Sequence, residues 1–380
     1  MFMKKVAIIG NVASMMITFR GDLIKKLSAS GVCVYCFCVD YDQASMQKVI
    51  ALGGFPVEYE LDSKGLNPIA DLKSIFFLQR KLKDLRVDVV FAYFVKPVLF
   101  GGLAAKMAGV SRVVGMVEGL GNAFVEYGEF DLKRLLVKYA QIFLYKTLAR
   151  NLDLLLFLNE DDRADIVDRY KVTVRDVKVL GGIGVDLERF KPHDADRAPS
   201  DFTFIFVARL LREKGVFEFL EAAEIVKADY PKARFIVLGG IDEGNPFALT
   251  GSELEGYIAR GIVEYPGFVN DVDRWVGCSD VFVLPSFYRE GVPRSTQEAM
   301  ALGKAIITTD VPGCKDTVIH GFNGILVQPR NVDSLVRAMR YFVDEPSKAR
   351  EMGLNSRQLA EERFNVEEVN GRLISFLGLT

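Results

Sequence analysis

The sequence predicts an α/β chain of two doubly wound, Rossmann-like domains, each built on a parallel sheet, and three observations carry that expectation. Short apolar runs alternate with amphipathic helical stretches, the period of consecutive βαβ units. The rhythm restarts at Phe202, after a polar stretch bearing proline. A chain of 380 residues also exceeds what one hydrophobic core usually supports. About two domains of roughly 190 residues each are therefore expected.

In chain order, KVAIIG reads as a first buried strand. Lys4 and Lys5 lead straight into it and a helix near Gly21 to Ser30 follows, so this start reads as that of a mature cytoplasmic protein and not as a secretory leader. VCVYCFCV is an inner strand, followed by a helix from about Pro68 to Leu85. DVVFAYF, a helix near Gly101 to Ala108, VVGMV, a long helix near Lys133 to Arg150 and LDLLLFL complete the first unit. The second opens with FTFIFVARL and the helix VFEFLEAAEIVKADY. It continues through ARFIVLGG, IVEYPGF, DVFVLPS, the helix STQEAMALG, AIITTD and GILVQ. Between the units lies GVDLERFKPHDADRAPSD, whose second half reads as a linker. These marks divide the chain into a first domain over 1–184, a second over 185–365 and a last segment over 366–380. That segment holds a helix from about Val366 to Leu377, placed after a break at Phe364 and Asn365, which is expected to pack back on the first domain. Two facing α/β domains would enclose a cleft, and open α/β sheets bind ligands beyond the carboxyl ends of their strands.

Composition narrows the function classes. Half of the residues are apolar, yet no uncharged run approaches the ~20 residues needed to cross a bilayer. Residues 1–150 hold 20 Lys and Arg against 13 Asp and Glu, whereas the remainder holds 28 against 37. The basic front half favours an anionic surface or ligand, but basic clusters and the high pI of a nucleic-acid reader are missing. The five cysteines are Cys33, Cys36, Cys38, Cys278 and Cys314, and the two histidines are His193 and His320. On a strand Cys33 and Cys36 diverge while Cys36 and Cys38 share a side, so buried thiols in a reducing compartment fit better than a metal site.

Chemistry concentrates between Phe282 and Gly303. Glu290 and Glu298 are separated by seven residues that include Gly291, Pro293 and Ser295. An apolar strand, a Gly/Pro loop and a helix starting near Ser295 would aim backbone N–H groups at an anion, with acids on either side. Ser295-x-x-Glu298 also fits a capping box, in which Glu298 only satisfies backbone donors. Arg209 and Lys214, in VARLLREKG, stand after a strand and just before a helix starting at Gly215. They suit a departing nucleoside diphosphate, or form a solvated basic turn. Gly10, with Asn11 to Ser14, follows the first strand, but GNVASM is not GxGxxG, so Asp40 alone makes a weak dinucleotide signal and a dehydrogenase reading falls. Glu118, in VEGLGNAF, could meet an acceptor hydroxyl as base, or cap a turn. Asp271 and Asp273 spell DxD, read as acids at a helix start and not as metal ligands. The basic, apolar stretch KYAQIFLYKTLAR, with Lys133, Arg134, Lys138, Lys146 and Arg150 around it, suits either core packing or contact with a membrane surface.

REGVPRSTQEAMALGKAIITTDVPGCKDTV and GFNGILVQP, with VARLLREKG and LGGIGVDLERFKP, resemble the family 4 retaining glycosyltransferases of the two-domain GT-B type. In the front domain ITFRGDLIKKL, SKGLNP and VEGLG are similar to bacterial enzymes that extend an undecaprenyl-diphosphate-linked sugar by α1,3-linked N-acetylgalactosamine or galactose. The resemblance implies a UDP-sugar donor, a polyprenyl-diphosphate-linked saccharide acceptor, no metal or other cofactor, no nucleic acid, and a peripheral place on the cytoplasmic face of an anionic membrane. It implies that Glu290 sits by the donor sugar and Glu298 binds the ribose. Arg209 and Lys214 would hold the diphosphate with backbone help from Gly10 and from Gly291, Val292, Pro293 and Arg294. Phe268 and Val269 would border the uracil, and Gly239 would also contact the donor. Two departures stand out: PGCKDTV offers Asp316 where relatives carry Glu, and the front domain lacks the histidine found near the sugar. A UDP-sugar epimerase of the same architecture and a non-catalytic nucleotide-sugar binder are the competing readings.

Overall fold

A computed structural model describes residues 3–62, 67–125, 131–192, 201–242, 244–245 and 247–379. Residues 63–66 of SKGLNP and 193–200 of the inter-domain stretch lie outside them. The chain forms two compact units, Met1–Ile183 with Glu367–Thr380, and Gly184–Val366.

The first unit carries β1 (Lys5–Ile9), β2 (Cys33–Cys38), β3 (Gly54–Glu58), β4 (Val89–Tyr93), β5 (Arg112–Val117), β6 (Leu154–Phe157) and β7 (Val177–Val179). They pair in parallel in the order β3-β2-β1-β4-β5-β6-β7. Central strands such as VVFAY and LLLF are buried along their whole length, as a sheet covered on both faces requires. Pro56 sits in the edge strand β3, where a residue without an N–H costs no ladder bond on the open side. The sequence reading missed β3, whose Gly and Pro mask the pattern, and β7, which has only three residues.

The second unit carries β8 (Thr203–Val207), β9 (Arg234–Leu238), β10 (Glu264–Gly267), β11 (Val281–Leu284), β12 (Ala305–Thr309) and β13 (Gly324–Val327). Their order is β10-β9-β8-β11-β12-β13, all parallel, with Pro266 again on an edge strand. In each sheet the order reverses once, between β1 and β4 and between β8 and β11. Those are the topological switch points, where open α/β sheets take ligands.

Helix limits show what local sequence hides. The helix expected near Gly21 begins at Ala13, because the Asp40 carboxylate, arriving from the end of β2, accepts the Ala13 N–H at 2.6 Å. That cap is tertiary and invisible in the local pattern. Helix Pro68–Leu85 follows its sequence signals: proline in the first turn and Asn67 accepting from Ile69 and Ala70 at 3.2 Å each. The C-terminal helix Val366–Leu377 packs on the first unit. Lys26 bonds the Glu367 carboxylate at 2.7 Å, and Arg112 donates to the Phe376 carbonyl at 2.8 Å. All five cysteines are unbridged, four of them buried, and burial pushes the Cys36 thiol far above its ordinary value.

In the second unit helix Pro346–Arg363 rests its Gly353 on the backbone of Gly303. A Cβ there would stand 2.2 Å from the Gly303 carbonyl oxygen. Gly353→Ala should therefore cost about 2 kcal/mol of stability in urea unfolding, with the slope of the transition unchanged.

Candidate active site

Five sequence-selected groups fall along one line, the carboxyl edge of the second sheet. Phe268 and Val269 follow β10, Gly239 follows β9, Arg209 follows β8, Glu290 lies in the loop after β11, and Asp316 in the loop after β12. From β10 to β11 is three strand spacings, roughly 14 Å. Phe268 is 80% exposed there, an aromatic face open to a flat ligand.

Past the ends of β9, β8 and β11 the backbones approach closely enough to demand glycine. Gly239 has φ 148°, and a Cβ on it would lie 1.9 Å from the Ala208 carbonyl oxygen. Gly215, at φ 79°, would meet the Pro285 carbonyl oxygen at 2.2 Å. That approach brings the short Arg212–Lys214 turn onto the loop after β11, where the Glu213 carbonyl accepts the N–H groups of Phe287 and Tyr288 at 2.9 and 3.1 Å. The result is a mostly buried ion pair between Lys214 and Glu290 Oε1. Ser286 Oγ stands 3.1 Å from Glu290 Oε1 and equally far from the Glu213 carbonyl, and the Lys214 ammonium lies 4.9 Å from the centre of the Tyr288 ring. Behind the pair, Gly313 at φ 82° backs against Glu290 and Gly291, leaving a Cβ only 2.4 Å from the Glu290 carbonyl oxygen. Asp316 Oδ2 accepts the Gly313 N–H at 2.9 Å and so shapes that backing loop. The Cys314 thiol nearby is pushed up to about 12, by burial first and then by the negative charge of Glu290.

The capping box that Ser295-x-x-Glu298 would fit, the alternative reading of Glu298, is not formed. Helix Arg294–Ala301 starts one residue earlier, its N-cap is Pro293, and no side chain caps it. Glu298 instead accepts from Arg294 Nε at 2.9 Å. Burial raises the Glu298 carboxyl above its ordinary value, while Arg294 pulls the other way. Gly291, Val292 and Pro293 are buried, and Gln297, fully buried, donates to the Val292 carbonyl and accepts the Gly184 N–H, both at 3.1 Å. Asp271 is the N-cap residue of helix Val272–Gly277 without a side-chain cap bond, and among the described residues no three His, Cys, Asp or Glu side chains group as metal ligands.

In the first unit the switch point is filled. Glu118 forms a buried ion pair with Arg20, whose guanidinium lies 4.6 Å from the centre of the Tyr93 ring and 5.7 Å from that of Phe91. Gly10 bonds backward into the fold, its carbonyl accepting from the Tyr59 hydroxyl at 2.9 Å. A Cβ there would fall 2.2 Å from the Tyr93 hydroxyl, so packing alone requires this glycine. Burial drives the Tyr93 phenol well above its ordinary value.

Comparison with known proteins adds a separate line of support. Residues 5–157 match the model described as "Glycosyl transferase 4-like" and residues 189–359 the model described as "Glycosyl transferases group 1". The chain is 30% identical over 351 residues, 90% of this chain and 89% of the relative, to N,N'-diacetylbacillosaminyl-diphospho-undecaprenol alpha-1,3-N-acetylgalactosaminyltransferase of Campylobacter jejuni. The chain belongs to the family 4 glycosyltransferases. It is also 28% identical to UDP-Gal:alpha-D-GlcNAc-diphosphoundecaprenol alpha-1,3-galactosyltransferase of Escherichia coli, over 80% of this chain and 78% of that one. A crystal structure of a glycosyltransferase from Rickettsia africae superposes with a TM-score of 0.77 at 17% identity, covering 99% and 98% of the two chains, and shows the same GT-B fold.

For this glycosyltransferase, the structure joins Lys214 with Glu290 and Glu298 with Arg294 but leaves Gly10 and Glu118 in the other unit, within packing of their own. Sequence reading missed Ser286, Tyr288 and Gln297, which support the pair and the helix start, and Arg20, which neutralises Glu118. Only Arg20 carried a signal, a charge set among apolar positions in ITFRGDLI. A carboxylate buried against a guanidinium serves as a charge partner. Removing one member should cost about 3–5 kcal/mol, because the other is left uncompensated, whereas replacing both with apolar residues should cost far less. Urea unfolding of Glu118→Gln, Arg20→Met and the Arg20→Met/Glu118→Leu double variant checks this.

Proposed function

We propose that this glycosyltransferase moves a hexose or N-acetylhexosamine from a UDP-sugar to an undecaprenyl-diphosphate-linked saccharide, with retention of anomeric configuration and without a metal, at the cytoplasmic face of the cell membrane. N-acetylgalactosamine or galactose in α1,3 linkage is the sugar most consistent with the two bacterial relatives, whose names state those transfers and those lipid-linked acceptors. Assembly of a surface or protein-linked glycan is the setting such acceptors serve.

The observation that carries the reading is the buried Lys214–Glu290 pair at the switch point of the second sheet. A diphosphate arriving there would supply the negative charge that Glu290 gives Lys214, leaving the Glu290 carboxylate to accept hydroxyl hydrogen bonds from the donor sugar. Arg209, at the end of β8, would add a second cation, so the charge growing on the leaving phosphate is met by side chains. Backbone N–H groups of Gly291, Val292 and Arg294, around a Pro293 that has none, would face the same phosphates at a helix start without a side-chain cap. Gly239 lets the chain after β9 pass close by, Phe268 and Val269 would border the uracil, and Glu298 would bind the ribose. The leaving phosphate would itself assist deprotonation of the acceptor in a front-side attack. Glu118 would hold Arg20 in place beside the acceptor, a role that needs no free base.

A panel of radiolabelled UDP-sugars offered with polyprenyl-diphosphate monosaccharides tests the activity directly. One pair should give an organic-extractable disaccharide with wild-type protein, and label staying in the aqueous phase for every pair defeats the reading. Glu290→Gln and Lys214→Ala should each lower kcat by about 10²–10³-fold, and each should also lower the urea midpoint while unfolding stays cooperative, because the remaining charge loses its buried partner. The donor ribose would hydrogen-bond to ionised Glu298, whose carboxyl is raised by burial. UDP affinity should therefore fall as pH drops through that raised value, and Glu298→Gln should remove this part of the pH dependence, as calorimetric titration of both proteins would show.

A further inference from the structure

Helix Leu132–Leu148 turns its apolar side outward. Leu132, Leu136, Tyr139 and Phe143 recur at i, i+4, i+7 and i+11, one face of the helix over about 16 Å. Leu136, Tyr139 and Phe143 are 62%, 59% and 64% exposed, while Ile142 and Tyr145 supply the buried side. Apolar side chains of this size, contiguous on a surface, mark a place where something binds.

Charge identifies the occupant. The helix contains Lys133, Arg134, Lys138 and Lys146 and not one Asp or Glu. Lys133 and Lys146 are exposed, with exposed Arg150 just beyond the last turn, so cations stand at both ends of the apolar stripe. The neighbouring helix Pro68–Leu85 sets exposed Ile69, Leu72 and Phe76 beside exposed Lys73 and Lys81, while its Arg80 pairs with Asp84 at 3.9 Å. Both helices pack against the Pro97–Gly101 turn. An apolar stripe framed by lysine and arginine suits the boundary between acyl chains and anionic headgroups.

We propose that the outward face of helix Leu132–Leu148, joined by that of helix Pro68–Leu85, docks this glycosyltransferase on an anionic lipid bilayer, the helix axis lying in the plane of the interface. No helix among the described residues is long and apolar enough to cross a membrane. The proposal rests on the reading of a lipid-linked acceptor and deepens it by naming the surface that meets the lipid, and its vesicle assay runs without the acceptor.

Sedimentation with phosphatidylcholine vesicles carrying about one third phosphatidylglycerol measures the docking, at low and high salt. Wild-type protein should pellet with these vesicles and be released by salt. Leu136→Glu/Phe143→Glu should lower the partition coefficient by about a hundredfold. Lys133→Gln and Lys146→Gln should lower it by about fivefold each. All these positions are exposed, so urea midpoints should stay at the wild-type value, as should transfer to an acceptor dispersed in detergent. Wild-type protein left in the supernatant, or a double glutamate variant that pellets like wild type, overturns the proposal. So does a wild-type dimer that the double variant turns into a monomer, which would make the face a self-association surface. Vesicle binding without transfer from any UDP-sugar would sustain the docking surface while removing the catalytic reading.

Discussion

Lys214 and Glu290 neutralise each other in a place where neither could stand alone, and the geometry around them follows from that need. An ionised ammonium or carboxylate withdrawn from water costs several kcal/mol unless a partner compensates it. Compensation requires the turn after β8 and the loop after β11 to stay within contact distance. The chain secures this with backbone: Gly215 against the Pro285 carbonyl, Gly313 against Glu290 itself, and the Glu213 carbonyl gripping two successive N–H groups. The charges are thus held by elements whose positions the parallel sheet already dictates.

The first unit shows the same solution used differently. Arg20 and Glu118 also pair under burial, but between aromatic rings and at a switch point that Tyr93 and Gly10 fill. Phe94, just after β4, adopts φ 69°, a left-handed conformation that costs a non-glycine residue energy and is sustained only by its surroundings. One switch point is therefore arranged around a lysine in contact with the sheet edge, the other around packed aromatics.

Much of the architecture was legible because parallel sheets write themselves plainly. Fully buried strands become continuous apolar runs, and VVFAY, LLLF and VFVL were found for that reason. Helices with local caps were legible too, as with Pro68–Leu85. Elements whose limits depend on distant groups were not. The Asp40 cap on Ala13 crosses 27 positions of sequence. Glu298 had a capping box among its local readings, but the helix begins after Pro293 and Glu298 pairs with Arg294 instead. The exposed stripe on helix Leu132–Leu148 was visible as composition only. A Leu and Phe pattern is the same whether it faces a core or a solvent boundary.

The sequence by itself determined the period of strands and helices, the residue types able to meet a diphosphate, and the family pattern spread over both halves of the chain. Tertiary structure decided which charges meet. Lys214 finds Glu290 across 76 positions, and Glu118 finds Arg20 rather than solvent. The physical reason is range: periodicity and capping act over a few residues, whereas burial and ion pairing act through space and are fixed only when strand order has brought remote segments together.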